Sequence, residues 1–194
     1  MEIFLICFNK DFSRYYTLDI PEDNIHLTVF NSKKTIIYKH LSVYAQRLVK
    51  YIASIRFNTY VSSINISYER CGKPYIPEYP NFQFNISHTK DALVIAVTNV
   101  PVGIDIETVE SANMNIANRF FSKQEQKFIN LANDNQDKRF FEIWTKKEAY
   151  IKWTGKGLSQ SLSSFDVTAP DIRKLFKTFE IDKYIISVCL SGIN

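Results

Sequence analysis

A long amphipathic helix is predicted over residues 39–55, and it limits the folds open to this chain. Its apolar side chains recur at intervals of three and four residues, so they lie on one helical face that must be covered. They are Leu41, Tyr44, Ala45, Leu48, Val49, Ile52 and Ile55. Strand-like segments follow near Ile64–Tyr68 and Phe82–Ile86, and Leu93–Val97 is a continuous apolar run typical of a buried strand.

The second half of the chain also mixes helices and strands. It begins after a turn-like break at Asn99–Pro101. Helices are predicted over 114–121, 122–131 and 138–153, and strands over 165–167, 176–181 and 184–190. This order predicts an α+β fold with largely antiparallel sheets and one lobe on each side of residue 100, which we place at 1–98 and 99–194.

Composition excludes several classes of protein. The 194 residues are 45% hydrophobic and 23% charged, as in ordinary globular proteins, and the net charge of +4 is too small to indicate nucleic acid or membrane as a partner. The three cysteines are widely spaced and form no CxxC, so a reducing cytosol is expected. The short apolar run after Glu2 predicts a first strand rather than a signal peptide, and no run approaches the roughly 20 apolar residues of a membrane helix.

Two carboxylates on a predicted strand are the most informative residues. Val102–Glu107 alternates with period two, so Asp105 and Glu107 project from one face and Ile104 and Ile106 from the other. Two acids at this spacing repel each other, and a hard divalent cation such as Mg²⁺ would compensate for the repulsion. The same alternation also fits the solvent-facing side of an ordinary antiparallel strand.

A second group of polar residues lies on the helix predicted over 138–153. Trp144, Glu148 and Lys152 recur every four residues and therefore share one helical face. Glu148 would complete a metal site, and Lys152 would neutralise a phosphate. The alternative is a surface ion pair between residues i and i+4, which contributes a few tenths of a kcal/mol.

A third group could hold phosphate oxygens at strand ends. It consists of Lys73, Ser87 and His88. A single histidine is more often a core or capping residue than a ligand contact, so His88 carries little weight by itself. The chain has no GxSxG, no Walker A sequence and no GxGxxG, so those catalytic and nucleotide-binding classes are not indicated.

Taken together, five motifs in this order resemble the 4′-phosphopantetheinyl transferases, and most closely the type that activates surfactin synthetase. They are Gly72–Pro74, Phe84–Thr89, Val102–Glu107, Phe120–Glu125 and Trp144–Gly157. The resemblance implies two similar lobes related by a pseudo-twofold, each a small, mostly antiparallel sheet packed on a long helix, with the active site in the cleft between them. It implies a cytoplasmic monomer that moves 4′-phosphopantetheine from coenzyme A to a serine of an apo carrier protein of a peptide, polyketide or fatty-acid synthase, releasing adenosine 3′,5′-bisphosphate.

The resemblance also implies a role for each matching residue. The ligands of Mg²⁺, or of Mn²⁺, would be Asp105, Glu107 and Glu148. Lys152 would contact the pyrophosphate, and Glu148 or a water on the metal would take the proton of the carrier serine. The contacts to coenzyme A would be Lys73, Ser87, His88 and Lys147. Where the family usually has an arginine, this chain offers Lys39, with His40, Lys33 or Lys34 as alternatives. The carrier protein would contact Lys156, Leu158 and Leu162.

Glu125 has two interpretations, and the transferase function has two rivals. Glu125 matches an acid near the family's metal, and it also fits the third helical residue of a capping box with Ser122. One rival function is a metal-dependent nuclease, because Asp105 is followed by Glu125-Gln126-Lys127; the helical position of that triplet and the absence of a Lys/Arg stripe disfavour it. The other is a non-catalytic module that binds carrier proteins.

Overall fold

The structure, a computed structural model, describes residues 1–8, 10, 14–20, 24–32 and 40–192. By its internal contacts the chain divides into two compact units, Met1–Val102 and Gly103–Asn194. The division falls just after the turn predicted at Asn99–Pro101, whereas the boundary predicted at residue 98 lies just before that turn. The described residues form ten strands and five α-helices, which confirms the predicted α+β class.

The first unit is built on a mixed five-stranded sheet. Its strands and those of a small separate hairpin are β1 (Glu2–Cys7), β2 (Arg14–Ile20), β3 (Ile25–Asn31), β4 (Ser67–Tyr68), β5 (Pro74–Tyr75), β6 (Gln83–His88) and β7 (Ala92–Thr98). The order in the large sheet is β2-β3-β1-β7-β6, and β4 pairs with β5. The β1 and β3 strands run parallel, and the other three neighbouring pairs are antiparallel. All seven residues of β7 are buried, as its apolar run predicts.

The predicted long helix is α1 (Leu41–Arg56). Its fully buried side chains at every fourth position, Leu41, Ala45, Val49 and Ala53, form one core with residues of β1, β6 and β7. Full burial of a leucine or valine contributes roughly 1.5–3 kcal/mol, so the pattern that predicts the helix also accounts for its packing.

The second unit combines a three-stranded sheet with most of the helices. Its elements are β8 (Val102–Thr108), α2 (Met114–Phe120), α3 (Lys123–Asn130), α4 (Gln136–Thr154), α5 (Pro170–Arg173), β9 (Phe176–Ile181) and β10 (Tyr184–Leu190). The strand order is β8-β10-β9, and β9 and β10 form an antiparallel hairpin. The α4 helix packs on the fully buried β10 and ends at Gly155, whose φ of 65° is the left-handed conformation that glycine tolerates best.

The segment Phe165–Val167, predicted as a strand, has no regular secondary structure. Its backbone groups bond to side chains instead of to a neighbouring strand. The carbonyl of Phe165 accepts a hydrogen bond from Lys147, and the amide of Val167 donates one to Glu125. Buried backbone groups must be paired, and here two charged side chains replace the strand ladder.

The two units share one strand order. In the first unit, β1 is followed by the long helix α1 and then by the antiparallel hairpin β6–β7, and β1 neighbours β7. In the second unit, β8 is followed by the long helix α4 and then by the antiparallel hairpin β9–β10, and β8 neighbours β10. The resulting orders are β1-β7-β6 and β8-β10-β9. In the first unit, β2 and β3 extend this pattern beyond β1.

Candidate active site

Asp105 and Glu107 project from the face of β8 that approaches α4. Gly103 lies on that face too, and a Cβ there would be 2.0 Å from the carbonyl oxygen of Ala149 and 2.5 Å from the backbone nitrogen of Trp153. The absence of a side chain at Gly103 therefore permits the close packing of β8 on α4. Asp105 is only 4% exposed, so the interpretation of this face as a solvent-facing strand surface is wrong.

The polar face of α4 meets these carboxylates directly. The ammonium of Lys152 donates to Asp105 Oδ1 at 2.6 Å and to the carbonyl oxygen of Ile104 at 3.2 Å. About two helical turns earlier on α4, the indole Nε1 of Trp144 donates to Glu107 Oε1 at 3.1 Å. Lys152 is therefore paired across to β8, which differs from the alternative of a surface pair within the helix.

The carboxylates of this face lie in one another's electric field. Burial raises the pKa of Glu107 to about 7, and the charge of Asp105 adds to that effect, while Trp144 and Lys152 oppose it. Burial and Asp105 also raise the pKa of Glu148, again against Lys152. Asp105, Glu107 and Glu148 thus form a concentration of negative charge that one lysine offsets in part.

This set fits a divalent cation by donor chemistry. Carboxylate oxygens are the preferred ligands of hard ions such as Mg²⁺, and a bound cation would favour the charged carboxylates that burial and mutual repulsion disfavour. Within the described residues, however, no group of three or more His, Cys, Asp or Glu side chains is arranged as a finished metal site. Lys152 holds one oxygen of Asp105, and Trp144 holds one of Glu107.

Glu125 and Lys147 lie together in the interior of the second unit. Glu125 forms the predicted capping box of α3 with Ser122, and both Glu125 and Lys147 are 0% exposed. Lys147 Nζ lies 2.9 Å from Glu125 Oε2 and donates to the carbonyl oxygens of Leu162 and Phe165 at 2.7 Å and 2.9 Å. The ammonium has no remaining N–H donor for a ligand, which differs from the prediction that Lys147 contacts coenzyme A.

The predicted phosphate-binding residues of the first unit are also placed. His88 Nε2 lies 3.3 Å from Ser42 Oγ in the first turn of α1, and Lys73 Nζ donates to the carbonyl oxygen of Val102 at 3.0 Å. Ser87 is 8% exposed, and as the neighbour of His88 on β6 it projects from the opposite face of the strand. Lys39, predicted beside them, lies outside the described residues.

The residues predicted to contact a carrier protein follow α4. Lys156 is exposed. Leu162 is half-buried in a short 3-10 helix, Leu162–Ser164, and Lys147 holds its carbonyl oxygen. The side chain of Leu158 lies outside the described part of the structure.

Comparisons with known proteins identify the family of this chain. A model of the 4′-phosphopantetheinyl transferase superfamily matches residues 101–192. Two Bacillus subtilis proteins, 4′-phosphopantetheinyl transferase Sfp of strain 168 and 4′-phosphopantetheinyl transferase ffp, are 36% and 34% identical to it, and each alignment covers 77% of this chain and 73% of the relative. The chain belongs to the 4′-phosphopantetheinyl transferase superfamily. The 4′-phosphopantetheinyl transferase psf-1 of Bacillus pumilus is 42% identical over 61% of this chain and 51% of that protein, so the predicted family is confirmed.

Three residues of this phosphopantetheinyl transferase shape the site without having been predicted to do so. Trp144 stacks on Phe140 in the second unit, and its indole N–H also holds Glu107. Ser42 meets His88, and Gly103 lets β8 approach α4. A signal for Trp144 exists in the sequence, because it shares a helical face with Glu148 and a buried indole N–H needs an acceptor. No local pattern links Ser42 to His88, which is 46 residues away.

Proposed function

We propose that this chain transfers 4′-phosphopantetheine from coenzyme A to a serine of an apo carrier protein and releases adenosine 3′,5′-bisphosphate. The observation that carries the proposal is the set of three acids, Asp105, Glu107 and Glu148, which lie in one another's electric field beside Lys152 in a member of this superfamily. In the reaction the serine oxygen bonds to the pantetheine phosphorus, and the bond from that phosphorus to the bridging oxygen of the pyrophosphate breaks. The serine proton must leave, and the departing bisphosphate must be stabilised.

Asp105, Glu107 and Glu148 would hold Mg²⁺, or Mn²⁺, in this proposal. When bound, the ion would neutralise the diphosphate and polarise the phosphorus toward attack. The protein prepares for this by burying Glu107 and Glu148 beside Asp105, which together raise the pKa of both glutamates. A divalent cation would offset the negative charge of these carboxylates and so remove their repulsion.

Lys152 and Glu148 would supply the proton and charge chemistry. The ammonium of Lys152 is fixed beside Asp105, where it would stabilise the negative charge that grows on the leaving bisphosphate. Glu148, or a water on the metal, would accept the proton of the carrier serine as general base. A serine hydroxyl is a weak nucleophile without such a base.

Coenzyme A would be bound by polar groups of the first unit. Lys73, Ser87 and His88 are the proposed contacts, and Ser42 would orient the imidazole of His88. The carrier protein would contact Lys156, Leu158 and Leu162, where an exposed lysine favours encounter with an acidic partner. Lys147 and Glu125 are left out of this set because each uses its polar atoms inside the protein.

The proposal also covers the carrier proteins, the cellular location and the oligomeric state. The carriers would belong to peptide, polyketide or fatty-acid synthases, and the enzyme would act as a cytoplasmic monomer of two similar lobes. The strand order common to both units supports the similarity of the lobes. None of the three cysteines, all of them among the described residues, forms a disulfide. The helices described by the structure lack the length and apolar character needed to span a bilayer.

Mass spectrometry of a carrier protein tests the proposal. The full chain is incubated with coenzyme A, Mg²⁺ and apo carriers from a peptide, a polyketide and a fatty-acid synthase. We expect one phosphopantetheine increment on the carrier serine, absent without Mg²⁺ and absent for Asp105→Ala. Binding of carriers without any increment would favour the non-catalytic module, and metal-dependent cleavage of DNA would favour the nuclease. Glu125 already argues against a nuclease site, because both of its oxygens are engaged in the interior.

Replacing Trp144 with phenylalanine tests the contact to Glu107. Phenylalanine keeps the aromatic stacking on Phe140 but removes the N–H that Glu107 accepts. We expect the unfolding free energy to fall by about 1 kcal/mol and the concentration of Mg²⁺ for half-maximal transfer to rise several-fold. Trp153→Phe on the same helix is the matched control and should leave the Mg²⁺ dependence unchanged. Equal Mg²⁺ dependence in both variants would contradict the role of the indole.

A further inference from the structure

A fully buried ion pair joins three segments of the second unit. Lys147 extends from α4, Glu125 lies in the first turn of α3, and the carbonyl oxygens of Leu162 and Phe165 complete the surroundings of the ammonium. Glu125 in turn accepts from the backbone amides of Ser122 at 2.7 Å and Val167 at 2.8 Å. Every hydrogen-bonding direction of this lysine and both oxygens of this glutamate are used.

Lys147 of this pair is the sequence neighbour of the proposed catalytic residue Glu148, yet it faces elsewhere. Lys147 and Glu148 are consecutive on α4, and consecutive side chains on a helix point about 100° apart. Lys147 therefore points to α3 and the segment around Phe165, while Lys152 and Trp144 bond to β8. Rotation of α4 about its own axis would break one set of contacts and misplace the other.

We propose that Glu125 and Lys147 are positioning residues that fix the rotation of α4 and so set the direction in which Glu148 and Lys152 face β8. The inference rests on the proposed function for its catalytic readout. The aromatic rings of Phe165 and Phe121, 4.5 Å and 5.6 Å from Lys147 Nζ, enclose the ammonium and hold its stem in one place. The residues of the pair act on the reaction through α4 and do not touch substrate.

A buried ion pair suits this purpose better than an apolar contact. Apolar packing tolerates small rotations, whereas a buried charge without its partner is strongly unfavourable, so the pair permits one helix orientation. Loss of Lys147 alone would leave the Glu125 carboxylate buried and unpaired. Loss of both charges would remove that penalty but would also remove the constraint on α4. Stability and catalysis are therefore expected to respond differently to the same variants.

A double-mutant cycle on the full chain separates the two effects. The variants are Lys147→Met, Glu125→Gln and the double variant, and each is measured for thermal stability, for kcat with coenzyme A and carrier, and for near-ultraviolet circular dichroism. The dichroism reports on α4 independently of activity, because both tryptophans of the chain, Trp144 and Trp153, lie on that helix. The matched control is Lys138→Met with Glu180→Gln, which removes an ion pair of α4 with an N···O distance of 2.5 Å at the protein surface.

The expected result is a recovery of stability without a recovery of catalysis. Lys147→Met should lower Tm strongly, and adding Glu125→Gln should restore part of that loss. In both variants kcat should stay roughly 10- to 100-fold below wild type, with an altered tryptophan signal, because Glu148 and Lys152 are displaced. The surface control should match wild type in kcat and in the tryptophan signal.

The proposal is overturned if the double variant regains wild-type kcat and the wild-type tryptophan signal together with its stability, since the pair would then be merely structural. Failure of the proposed function looks different. In that case the wild type itself transfers no phosphopantetheine to any carrier, and the dichroism of the same four proteins still decides whether the pair orients α4.

Discussion

Gly103→Ala is expected to lower phosphopantetheine transfer roughly 100-fold or more and to destabilise the second unit. The new Cβ would lie 2.0 Å from the carbonyl oxygen of Ala149 and 2.5 Å from the backbone nitrogen of Trp153. Both are backbone atoms of α4, so no side-chain rotation relieves the clash and the helix must move away from β8. Overpacking of a core costs typically 1–3 kcal/mol, and we expect a loss of about 3 kcal/mol. Displacement of Glu148 and Lys152 by about 1 Å would lower kcat roughly 100-fold or more.

Gly192→Ala is the matched control for this prediction. Gly192 has a φ of +83°, and nothing lies within 4 Å of the position that a Cβ would take, so alanine there meets strain in the backbone but no clash. It should cost about 1–2 kcal/mol and leave transfer at the wild-type rate. Thermal unfolding and carrier mass spectrometry measure both variants. Equal losses in the two variants would contradict the role of close packing at Gly103.

The sequence predicts most of the elements that carry the candidate site. The spacing of apolar residues predicts α1 and α4 to within two residues at nearly every end, and the alternation at Val102–Glu107 matches β8. These predictions succeed because side-chain direction follows directly from the helix and strand periods. The proximity of α4 to β8 is not a local property, but the family resemblance anticipates it by assigning Asp105, Glu107 and Glu148 to one site.

Sequence patterns do not predict the contacts that long side chains make across the second unit. Phe165–Val167 has the composition of a strand, and its backbone is nevertheless held by Lys147 and Glu125. The local sequence does not distinguish Lys147 from its neighbour Lys146. A lysine on a helix is usually solvated, so neither would be predicted to be buried. The burial of Lys147 depends on Glu125, which lies 22 positions earlier, and on carbonyl groups freed by an irregular segment. Periodicity carries no information about such partners.

Stability of the metal-free protein is expected to fall as the pH rises from 5 to 8. Glu107 has a pKa of about 7 in the folded protein against 4.5 ordinarily, because burial and Asp105 disfavour its charge. The folded state therefore binds this proton more tightly, and the stabilisation is complete below pH 4.5 and is lost as the pH passes 7. Glu148 shifts in the same direction. Asp166, whose pKa is lowered by hydrogen bonds from Ser122 and Thr168 that outweigh its burial, affects stability only at lower pH.

Thermal unfolding in EDTA and in saturating Mg²⁺, followed across this pH range, measures the effect. In EDTA we expect Tm to fall by several degrees, at roughly 2–4 °C for each kcal/mol in a chain of this size. Mg²⁺ should raise Tm more at pH 8 than at pH 5, because a cation binds the ionised carboxylates and stabilises the folded state by mass action. Glu107→Gln removes one of the two titrating glutamates and should weaken the pH dependence in EDTA, while Glu148 keeps part of it. A Tm that rises with pH in the metal-free wild type would contradict the raised pKa of Glu107 and the burial and repulsion that account for it.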